Sequence, residues 1–247
     1  MIPEAKNWWE EHGRQYQEMC NIPIDVLYGV GSPNDAELGL IGSVAGKSVL
    51  EIGCGGAQCS VAFAKQGAAV TAIDIASSEI SHARKLAADH HVSIDLHQQD
   101  MADLSPVDSG TQDLVFSANA FSYVDDLDRC FQEVYRVLKP GGIFVFAMGH
   151  PFQKVVDPES LTAAQSYFDT APKVEGHETG CAFASVHRKV SDYFNLLVAA
   201  GFQVERMLEP DSRVRYASDP WFGLWGIGEK YLALIPGTLI IKSLKPL

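Results

Sequence analysis

The chain has 247 residues, with 19 basic and 31 acidic side chains giving a formal charge of −12, and 47% of it is hydrophobic. That describes one globular domain with room for an embedded insertion. The acidic balance argues against nucleic acid or an anionic membrane as partner, since either would call for clustered Lys and Arg.

The first six residues, Met1-Ile2-Pro3-Glu4-Ala5-Lys6, lack a basic segment followed by an apolar run, so no secretory leader is read. No stretch approaches the ~18 consecutive apolar residues of a membrane span. The five cysteines form no C-x-x-C pair, which predicts free thiols in a cytoplasmic protein with no disulfide or zinc site. Residues 1–45 read as helical turns, from Trp8 to Cys20 and again over 35–41, forming an N-terminal lid.

From 46 to 149 apolar runs alternate with helical patterns. Strands are predicted at 47–53, 68–75, 92–99, 112–117 and 143–148. Between them fall a helix ending at Gly67, a helix opening on Ser77 and Ser78 as N-caps and reaching His90, and a helix over 125–138. In the last, Leu127, Cys130, Phe131, Val134 and Leu138 form one apolar stripe, and Pro140-Gly141-Gly142 separates it from the next strand. Residues 150–186 are rich in Pro, Gly, Ser, Thr and aromatics and too long for an idle connection, so they read as an insertion capping the site. A helix built on Val190, Tyr193, Phe194, Leu197 and Val198 stops at Gly201. Strands follow at 202–209 and 238–244, with too little helical pattern between them for a crossover, so they are expected to pair antiparallel at the sheet edge. The expected fold is α/β: a doubly wound, mostly parallel seven-stranded sheet, helices on both faces, and an antiparallel edge strand. The segments 1–45, 46–149, 150–186 and 187–247 are its lid, core, cap and closing strands.

The chemistry centres on Val49-Leu50-Glu51-Ile52-Gly53-Cys54-Gly55-Gly56-Ala57, an acid and three glycines at the carboxyl end of the first strand. There the backbone must turn sharply and approach a ligand closely. Asp74 ends the second strand 19 residues beyond Gly55, near the ~20-residue offset at which a carboxylate meets ribose hydroxyls. A dinucleotide fingerprint would place its third glycine at 58, where this chain has Gln58, and Glu51 has no counterpart in it.

The loop resembles the first motif of the class I S-adenosylmethionine-dependent methyltransferases, read as Glu51-x-Gly53-x-Gly55. The usual third glycine falls on Ala57, with Gly56 displaced by one. Asp74 is similar to the family's ribose-binding acid, and Asp100-Met101 to the adenine-flanking pair after strand three. Phe116-Ser117-Ala118-Asn119 resembles the fourth motif, and Arg136 to Gly142 the turn before strand five. The flanks, including Trp8-Trp9, Tyr16, Gly149-His150-Pro151, Ser166-Tyr167-Phe168-Asp169 and His187-Arg188, look like the quinone and natural-product branch of small-molecule methyltransferases.

The resemblance implies a Rossmann-like methyltransferase fold and S-adenosylmethionine as cofactor, with S-adenosylhomocysteine as its product. Tyr16, Glu51, Gly53, Cys54, Gly55, Asp74, Ile75, Asp100, Met101, Ser117 and Ala118 are the implied cofactor contacts. The acceptor implied is a small, hydrophobic or aromatic metabolite methylated on oxygen or nitrogen, as in secondary metabolism, by a monomer or homodimer. His150, after strand five, and His187, opening the last helix, are the expected bases; His177, between Glu175 and Glu178, is a weaker one. Phe121, Tyr123, Phe152, Tyr167, Arg188 and Trp221 are expected around the acceptor, with Phe168, Phe222 and Trp225 in the same segments. Glu79, Asp89, Asp103, Asp125, Asp126 and Asp128 are expected at solvated helix ends. A nicotinamide-dependent oxidoreductase and a non-catalytic cofactor-binding regulator are the alternatives.

Overall fold

A computed structural model describes residues 2–29, 31–176, 182–211 and 229–247. Its strands are β1 (Ser48–Ile52), β2 (Ala69–Asp74), β3 (Ile94–Gln98), β4 (Gln112–Ala118), β5 (Leu138–Gly149), β6 (Pro172–Gly176), β7 (Ala182–Val186), β8 (Gln203–Leu208) and β9 (Thr238–Leu244). All but β6 and β7 form one seven-stranded sheet, in the spatial order β3-β2-β1-β4-β5-β9-β8. β9 runs antiparallel to both β5 and β8. The last two strands thus pair antiparallel at the sheet edge as expected. β9 is the reversed one, second from the edge, and β8 closes the sheet.

Both faces are covered, and strand alternation assigns side chains to them. Leu50, Ile52, Phe144 and Phe146 join one core with Phe121, Phe131 and Tyr193, on the side of α5 (Leu127–Val137) and α6 (Val190–Ala199). Val49, Phe116, Val145 and Ala147 join the opposite core with Tyr28 and Phe63, on the side of α3 (Gln58–Lys65). Burying a side chain of this size contributes roughly 1.5–3 kcal/mol, and both cores are fixed by the β-strand period.

Boundaries differ from expectation where tertiary contacts override local signals. Pro140-Gly141-Gly142 does not stand outside the sheet: β5 begins at Leu138, opposite Gln112, and the register then shifts so that Ile143 meets Leu114. Helix α4 (Ser77–Asp89) is not capped by a serine, since its N-cap is Ala76. Instead Ser78 Oγ donates to the Trp9 carbonyl at 3.0 Å, and Ser77 bonds Glu10, so both hydroxyls bind the N-terminal helix α1 (Pro3–Cys20). A short α2 (Asp35–Leu38) follows α1, capped by Asn34.

Within 150–186 the antiparallel pair β6 and β7 brings Ala184 and Val186 onto Ile2 and Ala5 of the N-terminal segment, together with Tyr123. A last short helix, α7 (Glu229–Leu232), precedes β9. Among the described residues no helix is long and apolar enough to cross a membrane, and no group of His, Cys, Asp and Glu is placed to hold a metal.

Candidate active site

The strand order reverses between β1 and β4, the place where open α/β sheets leave a crevice beyond their carboxyl ends. A cleft of about 850 Å³, counting space open to solvent, lies there, lined by the glycine loop, the end of β2, residues 118–120 at the end of β4, and α1.

Each wall follows from local chemistry. The loop after β1 turns through Gly53 at φ +64° and Gly55 at φ +51°, a region that side-chain-bearing residues rarely enter. At 53 a Cβ would also overlap the Ala120 Cβ. Ala57 adopts φ +64° as well, so the position where the family motif has glycine keeps glycine's conformation with a methyl group. The Gly55 N–H donates to Asp74 Oδ2 at 2.9 Å and the Ala76 N–H to Oδ1 at 3.0 Å, which aims a carboxylate across the loop.

Three carboxyl groups meet in this cleft. Glu51 is 3% exposed and accepts a bond from Ser60 of α3; burial nevertheless pushes it up to about 7. Asp74 is raised by burial against three backbone hydrogen bonds. Glu79, expected at a solvated helix end, is instead 2% exposed and raised to about 8 by burial, with Asp74 adding to the shift. It accepts from Gln17 Nε2 of α1 at 2.8 Å, and Gln17 Oε1 accepts from Gln58 Nε2 at 2.7 Å. Among the described residues no Lys, Arg or His lines the cleft. Trp9 packs edge-on against Tyr16 and Tyr123, with centroids 5.2 and 5.8 Å apart, and all three rings border the same space.

Of the predicted cofactor residues, Tyr16, Glu51, Gly53, Cys54, Gly55, Asp74, Ile75 and Ala118 line the cleft. Met101 stands just behind, its Sδ 3.7 Å from where a Gly53 Cβ would be, and Asp100 accepts from the Ala102 N–H at 2.9 Å. Ser117 does not line the cleft: fully buried, its hydroxyl donates to the Ile52 carbonyl at 2.8 Å and ties β4 to β1.

The acceptor-side expectations divide. Tyr123 lines the cleft, but Phe121 does not: it is fully buried among Phe131, Phe144 and Phe146. Arg188 is turned to structural use, donating to the carbonyls of Val124 and Asp125 at 2.6 and 2.8 Å. His150 has both ring nitrogens engaged, Nε2 with Glu209 at 2.9 Å and Nδ1 with the Phe152 N–H at 3.2 Å. Burial lowers its pKa, and the two bonds make the ring a joint between the end of β5 and the residue after β8, apart from the residues that line the cleft. Phe152 stacks on His150 and packs at a tilt against Tyr167.

His187 differs from His150. Its Nε2 is 3.0 Å from the Tyr167 carbonyl, which makes Nε2 the donor, and its buried Nδ1 has no hydrogen-bond partner among the described residues. Tyr167 Oη in turn accepts from the Val190 N–H at 2.9 Å. His177, Trp221, Phe222 and Trp225 lie outside the described residues. Sequence reasoning missed Gln17, Glu79 and Trp9 as wall residues; the signal available was Gly13, a glycine interrupting an otherwise good helix.

Residues 50–146 match the model of a family described as "Methyltransferase domain". The chain is 33% identical over 138 residues to a ubiquinone biosynthesis O-methyltransferase of Xanthomonas oryzae pv. oryzae, a match covering 56% of this chain and 54% of that enzyme. It thus spans about half the length of that relative. Among solved structures it is similar to an S-adenosylmethionine-dependent methyltransferase from Mesorhizobium loti, at TM-score 0.63 and 21% identity over 85% of this chain and 95% of that one. It is also similar to the [4+2]-cyclase SpnF, at TM-score 0.68 and 19% identity over 98% and 96% of the two chains.

Proposed function

We propose that this chain transfers the methyl group of S-adenosylmethionine to an oxygen or nitrogen of a small hydrophobic or aromatic acceptor, a reading supported by the methyltransferase-domain match over residues 50–146 and by the O-methyltransferase relatives. The carrying observation is the direct hydrogen bond from Gly55 to Asp74, which joins the glycine loop and the ribose-type acid in one cleft.

The donor set fits the cofactor. A wall of three carboxyls without a basic side chain among the described residues suits a ligand of net positive charge, and the space at Gly53 and Gly55 is held open by residues without side chains. Asp74 would hold the ribose hydroxyls, Ile75 and Met101 the adenine, and Glu51, Tyr16 and the loop backbone the methionine portion. The cofactor supplies an already activated methyl group, so the protein's work is alignment and exclusion of water.

Tyr123, with Trp9, would present an aromatic wall to the acceptor. His187, fixed by the Tyr167 carbonyl with Nδ1 open to a proton, would serve as base for a phenolic or alcoholic acceptor. Support for its placement is that neighbouring Val186 packs in one cluster with Tyr123, itself a cleft residue. The ubiquinone biosynthesis O-methyltransferase relatives favour oxygen as the accepting atom.

Calorimetry with S-adenosylmethionine tests the first half, and no heat at millimolar cofactor would overturn it. Incubation with methyl-labelled cofactor and a panel of catechols, phenols and amines tests the second. Label appearing in none of them while cofactor binds would favour the non-catalytic alternative.

A further inference from the structure

Glu79 is the carboxyl for which the family motifs assign no task, and the fold makes room for it twice. Gly13 sits inside α1, where glycine is less favourable than Ala; a Cβ there would overlap Glu79 Oε1. Gly56, the glycine displaced from the family pattern, is likewise explained: a Cβ would stand 2.6 Å from Gln17 Oε1 and 2.7 Å from Gln58 Nε2. The two glycines let Gln58, Gln17 and Glu79 form one hydrogen-bonded strut from the start of α3 through α1 to α4.

We propose that Glu79 is the residue that distinguishes the positively charged methyl donor from its uncharged by-product, held in place for this by the strut to Gln17 and Gln58. The inference rests on the cofactor reading above. S-adenosylmethionine carries a sulfonium, an ammonium and a carboxylate, net +1; loss of the methyl group leaves a thioether and no net charge. Glu79 borders the cleft, with Oε2 3.7 Å from the Cβ position of Gly55. Its Oε1 has no hydrogen-bond partner among the described residues.

Among the described residues no cation offsets it. Tyr16 and Cys20 face it from α1, Cys54 from the glycine loop and Asp74 from β2; Glu51 adds a further acid from β1, and Glu10 reaches Ser77 at the start of α4. On its own helix His82 is held toward its neutral form by burial, and Lys85 is paired with Asp89. With its pKa at about 8, Glu79 holds a proton in the free protein at neutral pH. A cationic ligand favours the carboxylate and expels that proton into solvent; a neutral ligand leaves it in place.

The test compares S-adenosylmethionine and S-adenosylhomocysteine by calorimetry at pH 6, 7 and 8, in buffers of different ionisation enthalpy. For the natural sequence the donor releases more protons than the by-product, and its relative affinity rises roughly five- to tenfold per pH unit over that range. Glu79→Gln removes most of this slope and most of the preference. Glu51→Gln, which removes the neighbouring titrating acid, keeps the slope that belongs to Glu79. Gly13→Ala, which crowds the carboxyl without changing its charge, weakens the preference and guards against a Glu79 variant that fails to fold.

Equal proton release by the two ligands, or an unchanged slope in Glu79→Gln, overturns the inference while leaving the cofactor site intact. If neither ligand binds the natural sequence, the cofactor reading itself falls, and this inference with it.

Discussion

The backbone N–H of Gly55 donates to Asp74 Oδ2 at 2.9 Å, across 19 residues of chain. A sequence offset thus becomes a direct bond between the middle of the glycine loop and the acid at the next strand end. It fixes the loop and the carboxylate relative to each other before any ligand arrives.

Asp74→Ala should therefore weaken S-adenosylmethionine through lost ribose contacts, by about 1.5–3 kcal/mol or roughly 10- to 150-fold in Kd. The by-product carries the same ribose and should lose about the same. Calorimetry with both ligands checks this, and unchanged affinity for either would misplace the ribose.

Glu51 makes the free protein's stability sensitive to pH. With its pKa raised to about 7 from 4.5, the folded chain keeps a proton that the unfolded chain releases. Stability is then lost as pH rises from about 4.5 to about 7, by up to about 3 kcal/mol for the full shift. Glu79, raised to about 8, extends the loss in the same direction. Thermal melts from pH 5 to 8.5 should show a falling Tm, and Glu51→Gln should flatten the lower part of the fall while weakening cofactor binding.

The two histidines should separate cleanly. His187→Ala is expected to slow methylation of a phenolic acceptor about 10²- to 10⁴-fold with little change in cofactor affinity. His150→Ala removes buried bonds to Glu209 and Phe152 and should cost about 1–3 kcal/mol of stability, leaving the pH–rate profile in place. Melting curves beside single-turnover rates distinguish them; a rate loss confined to His150→Ala would reverse the assignment.

Two glycines with similar backbones should behave differently. Gly53 at φ +64° faces the Ala120 Cβ, whereas Gly39 at φ +61° has nothing within 4 Å of an added methyl group. Gly39→Ala should cost only the left-handed penalty of about 1–2 kcal/mol and leave binding untouched. Gly53→Ala adds a steric clash between the two cleft walls and should abolish measurable cofactor binding. Melting and titration of both variants check the contrast.

The motif residues were legible because their chemistry is local: a glycine turn, an acid at a strand end and an apolar stripe each depend on neighbours within a few positions. Glu51, Gly53, Gly55 and Asp74 lie where such signals place them. Ser77 and Ser78 show the limit. Their N-cap signature is real, yet their hydroxyls bond Glu10 and the Trp9 carbonyl, because a packed helix offers partners no local pattern reveals.

The same reason accounts for the acceptor side. His150, Arg188, Ser117 and Phe121 have residue types suited to a site, and side-chain type alone does not say which partner each will find. Chain length, charge and alternation of apolar runs by themselves determined an acidic, two-faced α/β sheet with a ligand loop at its first turn. Only the tertiary structure decided that β9 inserts between β5 and β8, that His150 is a joint while the His187 Nδ1 is left open, and that Glu79 is buried. Two of those outcomes turn on bonds across long stretches of chain: Gln17 meets Glu79 62 residues away, and His150 meets Glu209 59 residues away. Burial and pairing at that range are set by packing, to which a local pattern is blind.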